Sequence, residues 1–233
     1  MTRLILASIM ILTATLIACG ETEQSADTKI DSGIFITGDL DNTVPGVMWI
    51  GNCSSTAVSH NTLITAAHCV ESGGQLQEEV CIRSGQIANG TCSSNVFVPD
   101  AYLQREFMPN DIAVVVFPDN TFSRYFEMAN QRVSVRDDVV LVGYSSDNRG
   151  GAAEEKGSKR WGRNTIRSVS GDGRTTIITS YGGTASNVAV SPGDSGGPMF
   201  KDCKLVGAAS RMSTGGQKSS LHTNILGDNS EFM

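Results

Sequence analysis

Only three histidines occur in the 233 residues, and no two of the six cysteines form a Cys-x-x-Cys pair. A structural zinc site is therefore not expected, and no metal or cofactor is implied. Positive charge is also scarce. Lys and Arg number 18 against 24 Asp and Glu, for a net charge of −6 and a pI near 5.0. With no basic stripe to neutralise phosphates, a nucleic-acid partner is excluded. Aromatics make up 6% of the chain, whereas glycine is abundant at 25 residues. Short runs of Val, Ile and Thr lie between clusters of Gly, Asn, Asp and Ser, which points to an all-β protein rather than a helical one. The 39% hydrophobic content suffices for the core of one compact domain or two small ones.

The apolar stretch Leu4 to Ile17 follows a short positive start, Met1-Thr2-Arg3. It is too short and too weakly flanked to span a membrane, so residues 1–18 read as a signal peptide. They run into Leu16-Ile17-Ala18-Cys19-Gly20, which resembles the lipobox of bacterial lipoproteins. In those proteins cleavage precedes the cysteine and a lipid is attached to its sulfur. The alternative is an ordinary cleavage site beside a chance cysteine. A lipid on Cys19 would hold the chain at a membrane by acyl chains alone. Gly20 lacks the aspartate that retains some lipoproteins on the inner membrane, which favours the outer membrane and periplasm of a bacterial envelope. Residues 19–33 are mostly polar and read as a tether or propeptide.

Export to an oxidising compartment makes disulfides an expectation. With Cys19 assigned to lipidation, five cysteines remain. Cys53 and Cys69 bracket a strand-turn-strand segment. Cys81 and Cys92 flank a Gly/Asn-rich stretch and are placed to close a hairpin. Cys203 is left without an assigned partner.

Three segments carry candidate chemistry. Leu63-Ile64-Thr65-Ala66-Ala67-His68-Cys69 leads a β-run into a histidine with small neighbours, which leave the ring accessible. A disulfide at Cys69 would anchor the residue beside it, and a positioned general base needs both features. Asn110-Asp111 opens the apolar run Ile112 to Phe117. Such an acid is often a turn residue; buried, it would accept a hydrogen bond from a histidine Nδ1. Ser191-Pro192-Gly193-Asp194-Ser195-Gly196-Gly197-Pro198 is a tight turn around a serine. Clustered Gly and Pro usually mean only a turn. A nucleophilic serine, however, needs converging backbone N–H groups, and Gly193 and Ser195 can supply two as an oxyanion hole.

Thr-Ala-Ala-His-Cys, Asn-Asp-Ile-Ala and Gly-Asp-Ser-Gly-Gly-Pro resemble the three signature segments of chymotrypsin/trypsin-like serine proteases, in the same order and at similar intervals. The resemblance covers about residue 34 to the end. It implies a serine endopeptidase acting on protein or peptide substrates, with His68, Asp111 and Ser195 as catalytic triad. It also implies two six-stranded antiparallel β-barrels packed together, over residues 34–128 and 129–233. The strand pattern agrees, with runs 47–50, 55–59, 62–66, 79–83, 96–98 and 112–117 in the first. The second would hold 133–135, 139–143, 160–169, 175–180, 198–201, 205–210 and 219–224. Residues 145–159 resemble the family's exposed autolysis loop. Little chain follows residue 224, so the C-terminal helix is expected to be short or absent.

The chain departs from the family at its substrate pocket. Ala189 stands where trypsin-like members carry an aspartate, so a buried Lys or Arg side chain would lack a counter-ion. Ser210 keeps the family serine, Met212 replaces a glycine at the pocket mouth, and Ser220 stands where trypsin has glycine. A narrowed pocket for a small or medium apolar side chain is expected. The competing expectation is an acidic side chain recognised by His222 or Arg211. In the family a cleaved terminus pairs with the aspartate before the serine, here Asp194. The nearest candidate terminus is Ile30, though Asp31 and Ser32 match the family pattern poorly. A second function class is a catalytically silent relative that binds a partner. Such relatives normally lose a triad residue, and none is lost here; the altered activation terminus is the feature in their favour.

Overall fold

The computed structural model describes residues 44–84, 90–104, 110–144, 159–170, 176–180, 188–213 and 219–226. The expected signal peptide, Cys19, the tether, Ile30, most of the loop expected over 145–159 and the residues after 226 lie outside this set.

The described chain is almost wholly β. Eight strands come before residue 117: β1 (Val47–Ile50), β2 (Cys53–Ala57), β3 (Thr62–Thr65), β4 (Glu71–Ser72), β5 (Gln75–Leu76), β6 (Ile82–Ser84), β7 (Asn95–Phe97) and β8 (Ala113–Val116). Six follow: β9 (Asp138–Gly143), β10 (Arg160–Ser170), β11 (Thr176–Ser180), β12 (Pro198–Lys201), β13 (Lys204–Ser213) and β14 (Ser219–Asn224). A 3-10 turn covers Ala67–Val70, and a short helix, α1, covers Asp100–Leu103.

The two halves close differently. The later strands form a closed barrel in the order β10-β11-β14-β13-β12-β9. The earlier ones form a six-stranded sheet, β6-β1-β2-β3-β8-β7, a half-barrel whose edges are β6 and β7. An isolated antiparallel bridge at Cys81 and Cys92, with a disulfide between them, links the approaches to those edges. This is the hairpin closure expected from the sequence.

One predicted strand does not form. Residues 133–135 are an irregular approach to β9, because Arg136 adopts φ +78° and Ser134 N–H donates to Asp137 Oδ2. A left-handed residue and a side-chain-capped turn take the chain out of strand geometry there.

Burial explains the strand compositions. β8 alternates buried and half-buried positions, as a strand with one core face should. β2 is buried at all five positions although three are Ser or Thr. It is covered on both faces, by its own sheet's core and by the other barrel. Beside it the two halves share a mixed cluster, in which Val47, Ile64 and Ile112 of the first half pack with Val142, Trp161, Phe200 and Leu205 of the second. The chain also crosses between halves through a parallel bridge of Met128 to Leu205, flanked by Leu205 N–H to Glu127 O and Ala129 N–H to Leu205 O.

Candidate active site

The histidine segment is fixed from both sides. β3 pairs with β8, which brings Thr65 opposite Ala113 and so sets the turn after β3 beside Asp111. The Cys53–Cys69 disulfide, with Cα atoms 6.0 Å apart, ties the 3-10 turn back to the start of β2. His68 Nδ1 lies 2.8 Å from Asp111 Oδ2, and His68 N–H donates to Asp111 Oδ1 at 3.0 Å. The carboxylate therefore orients both the ring and its backbone. The His68 side chain is 41% exposed and that of Asp111 only 5%, so the pair presents an accessible imidazole backed by a desolvated acid.

Asp111 is held by the second barrel as well. Ser210 Oγ of β13 donates to Asp111 Oδ2 at 2.5 Å, and Thr223 Oγ1 of β14 donates to Asp111 O at 3.0 Å. The Ser210 contact helps satisfy a buried carboxylate, and the Thr223 contact a backbone carbonyl, that would otherwise be costly to bury.

The serine turn is seated against the first half. Ser54 N–H donates to Ser195 O at 2.8 Å, and Ser54 Oγ donates to Gly193 O at 2.8 Å. Gly196 N–H donates to Ala209 O at 2.6 Å. Gly196 has φ +76°, and a Cβ there would collide with Thr65 Oγ1 and Ser54 O. No other residue fits that close approach to β3. The N–H groups of Gly193 and Ser195 donate to no protein acceptor among the described residues. They remain available to an oxygen brought to the turn. No hydrogen bond joins His68 Nε2 to Ser195 Oγ among the described residues; unliganded sites often tighten this contact only when substrate arrives.

Asp194 turns away from Ser195. Its Oδ2 accepts from Ser191 N–H at 2.8 Å, and its carboxylate rests against Gly143, where a Cβ would overlap it. Asp194 lines a small cavity of about 20 Å³ with Gly143, Arg160, Ala189, Val190 and His222. Such a volume holds about one water.

The other sequence-predicted pocket residues part company. Ala189 is half-buried on that cavity. Ser220 is fully buried and takes Val190 N–H at 2.8 Å, so its hydroxyl supports backbone. Met212 pairs with Ser220 and packs half-buried on the second barrel's core. His222 is fully buried, neither ring nitrogen has a hydrogen-bond partner among the described residues, and burial pushes its pKa down to about 3. Arg211 lies elsewhere, exposed on an open groove with His68. The structure thus separates His222 and Arg211, which the sequence offers as equivalents.

Sequence reasoning missed Ser54, Thr65 and Thr223. The available signal for Ser54 is the run Ser54-Ser55-Thr56, polar yet set between Cys53 and Ala57 within one strand. Among the described residues, two His/Cys/Glu groupings have closely spaced donor atoms, Cys53–His68–Cys69 and Glu79–Cys81–Cys92, and each has both cysteines in a disulfide. Neither offers a metal more than one ligand.

Comparison with known proteins agrees with this architecture. Residues 44–225 match the trypsin family, and the chain belongs to that family of peptidases. Two proteins named as peptidases, from two strains of Corynebacterium glutamicum, are 27% and 26% identical over 212 residues. Each alignment covers 90% of this chain and 70% of the relative. A solved Glu endopeptidase shares the fold, with a TM-score of 0.64 at 17% identity, covering 87% of this chain and 95% of that one.

Proposed function

We propose that the chain is a serine-type endopeptidase with His68, Asp111 and Ser195 as its triad and Gly193 and Ser195 N–H as its oxyanion hole. Ser195 Oγ attacks the scissile carbonyl while His68 takes its proton. Asp111 fixes the tautomer and stabilises the imidazolium, and the carbonyl oxygen gathers charge at the two N–H groups. The C–N bond then breaks as His68 returns the proton to the amine, and water hydrolyses the acyl-enzyme by the same steps reversed. The observation that carries this reading is the Asp111 carboxylate bonded at once to His68 Nδ1, His68 N–H and Ser210 Oγ. A partner-binding relative has no use for that orientation. A fluorophosphonate probe should label the processed protein, and Ser195→Ala should abolish labelling. Unlabelled wild type would instead favour the catalytically silent binding module.

The substrate side chain before the cut is small or medium-sized and apolar rather than Lys or Arg. Support comes from Ala189, which offers no counter-ion where a Lys or Arg side chain would need one. A second reading, an acidic side chain, is favoured by the unpartnered nitrogens of His222 on the cavity that Ala189 lines and by the Glu endopeptidase that shares the fold. Cleavage of a peptide library separates the two, and dominant cutting after Lys or Arg sinks both.

Asp194 serves as acceptor for a new amino terminus, with Ile30 the candidate, and the carboxylate's position against Gly143 supports that role. The mature protein is held at the bacterial envelope through a lipid on Cys19, outer membrane or periplasm, until a cut after Lys29 releases it.

A further inference from the structure

The groove beside His68 contains a cation that the peptidase chemistry does not use. It is open, about 600 Å³ in volume, and lined by His68, Glu71, Tyr102, Asp111, Ser210 and Arg211. Its carboxylates are engaged: Asp111 by His68 and Ser210, and Glu71 by Tyr102 OH, which donates to Oε2 at 2.8 Å. Arg211 is exposed, and no carboxylate meets its guanidinium among the described residues. Its backbone is equally available. β12 pairs with β13 only as far as Ala208, and from Arg211 onward β13 pairs with β14 alone among the described residues. Such an edge accepts an extended peptide as an added strand, with alternate side chains read by what flanks it.

We propose that Arg211 forms an accessory subsite that selects an acidic side chain in the substrate, away from the residue whose carbonyl is attacked. This rests on the endopeptidase reading above. A guanidinium fits a carboxylate with two parallel hydrogen bonds. Arg211 adjoins Ser210, which touches the acid that orients His68, so the side chain it reads lies within about three residues of the cut at 3.3 Å per extended residue. Glu71 lines the same groove and repels an acid there, so the preference belongs to one substrate position and not to acidic peptides in general.

The test is a set of fluorogenic peptides with one cleavable core, in which a single Asp, or Asn as control, moves through each position on both sides of the cut. At low salt the wild-type enzyme should prefer Asp to Asn by about 10-fold in kcat/KM at one position, and added salt should compress the ratio. Arg211→Gln should erase the preference, and Arg211→Glu should transfer it to Lys at the same position. A flat Asp scan, or a preference that Arg211→Gln leaves intact, overturns the proposal. Fluorophosphonate labelling of the wild type distinguishes the failures. Labelling with a flat scan removes only this subsite, whereas no labelling removes the peptidase reading and this subsite with it.

Discussion

His222 shows how one buried side chain couples stability to pH. Both its ring nitrogens are enclosed without partners, and desolvation alone lowers its pKa from 6.5 to about 3. The folded protein therefore holds the imidazole neutral, while the unfolded chain takes up a proton below pH 6.5. The resulting stabilisation is complete above the unfolded pKa and is lost as pH falls from 6.5 toward 3, at up to about 1.4 kcal/mol per pH unit. Denaturant melts of wild type should weaken by about 2 kcal/mol between pH 6.5 and 5 from this group, and His222→Leu should flatten that slope. Equal slopes in the two proteins would mean that the ring finds a proton acceptor in the folded state. The sequence offered His222 as a residue that reads an acidic side chain, but its burial depends on its register opposite Ala209 and Ile177, which no local pattern encodes.

At the scale of elements, the two disulfides do different work. Cys53–Cys69 and Cys81–Cys92 span 16 and 11 residues, and each constrains the unfolded chain by roughly 3 kcal/mol. Paired Cys→Ala replacements should lower the melting temperature in both cases. Only the first pair adjoins His68, so only its loss should also reduce kcat/KM on a small ester; equal losses from both would show that the 3-10 turn is held by its other contacts. Most strands were legible from alternation and β-branched runs. β1, β12 and β14 appear with the bounds expected, and β8 within one residue at each end. The failure at 133–135 is instructive, since Val133-Ser134-Val135 alternates like a strand while its neighbour Arg136 takes a left-handed backbone. Periodicity does not report a turn made by an ordinary residue. The His68, Asp111 and Ser195 segments were legible because each carries its own local requirement. Ser54, whose hydroxyl and amide hold the serine turn, was not, because its role exists only where the halves meet.

For the whole molecule, anchoring and activation are proposed to share one segment. If a lipid on Cys19 holds the chain and a cut after Lys29 frees Ile30, active enzyme should appear in the soluble fraction with an Ile30 start. Terminal sequencing of the active species checks this. Full activity in a chain beginning at residue 19 would sever the link between release and activation. Cys19→Ser should move the uncut protein from membrane to soluble fractions.

The grip of Ser210 and Thr223 on Asp111 has a consequence for how the molecule could be taken apart. The base and its acid belong to one half of the chain, yet the clamp on the acid and the nucleophile belong to the other. Two separately produced fragments, divided in the crossing near Met128, would each be inert by construction. Turnover on mixing them would report docking directly, with no label needed. The same arrangement lets a nick or a loosened junction switch the molecule off without touching any reacting group.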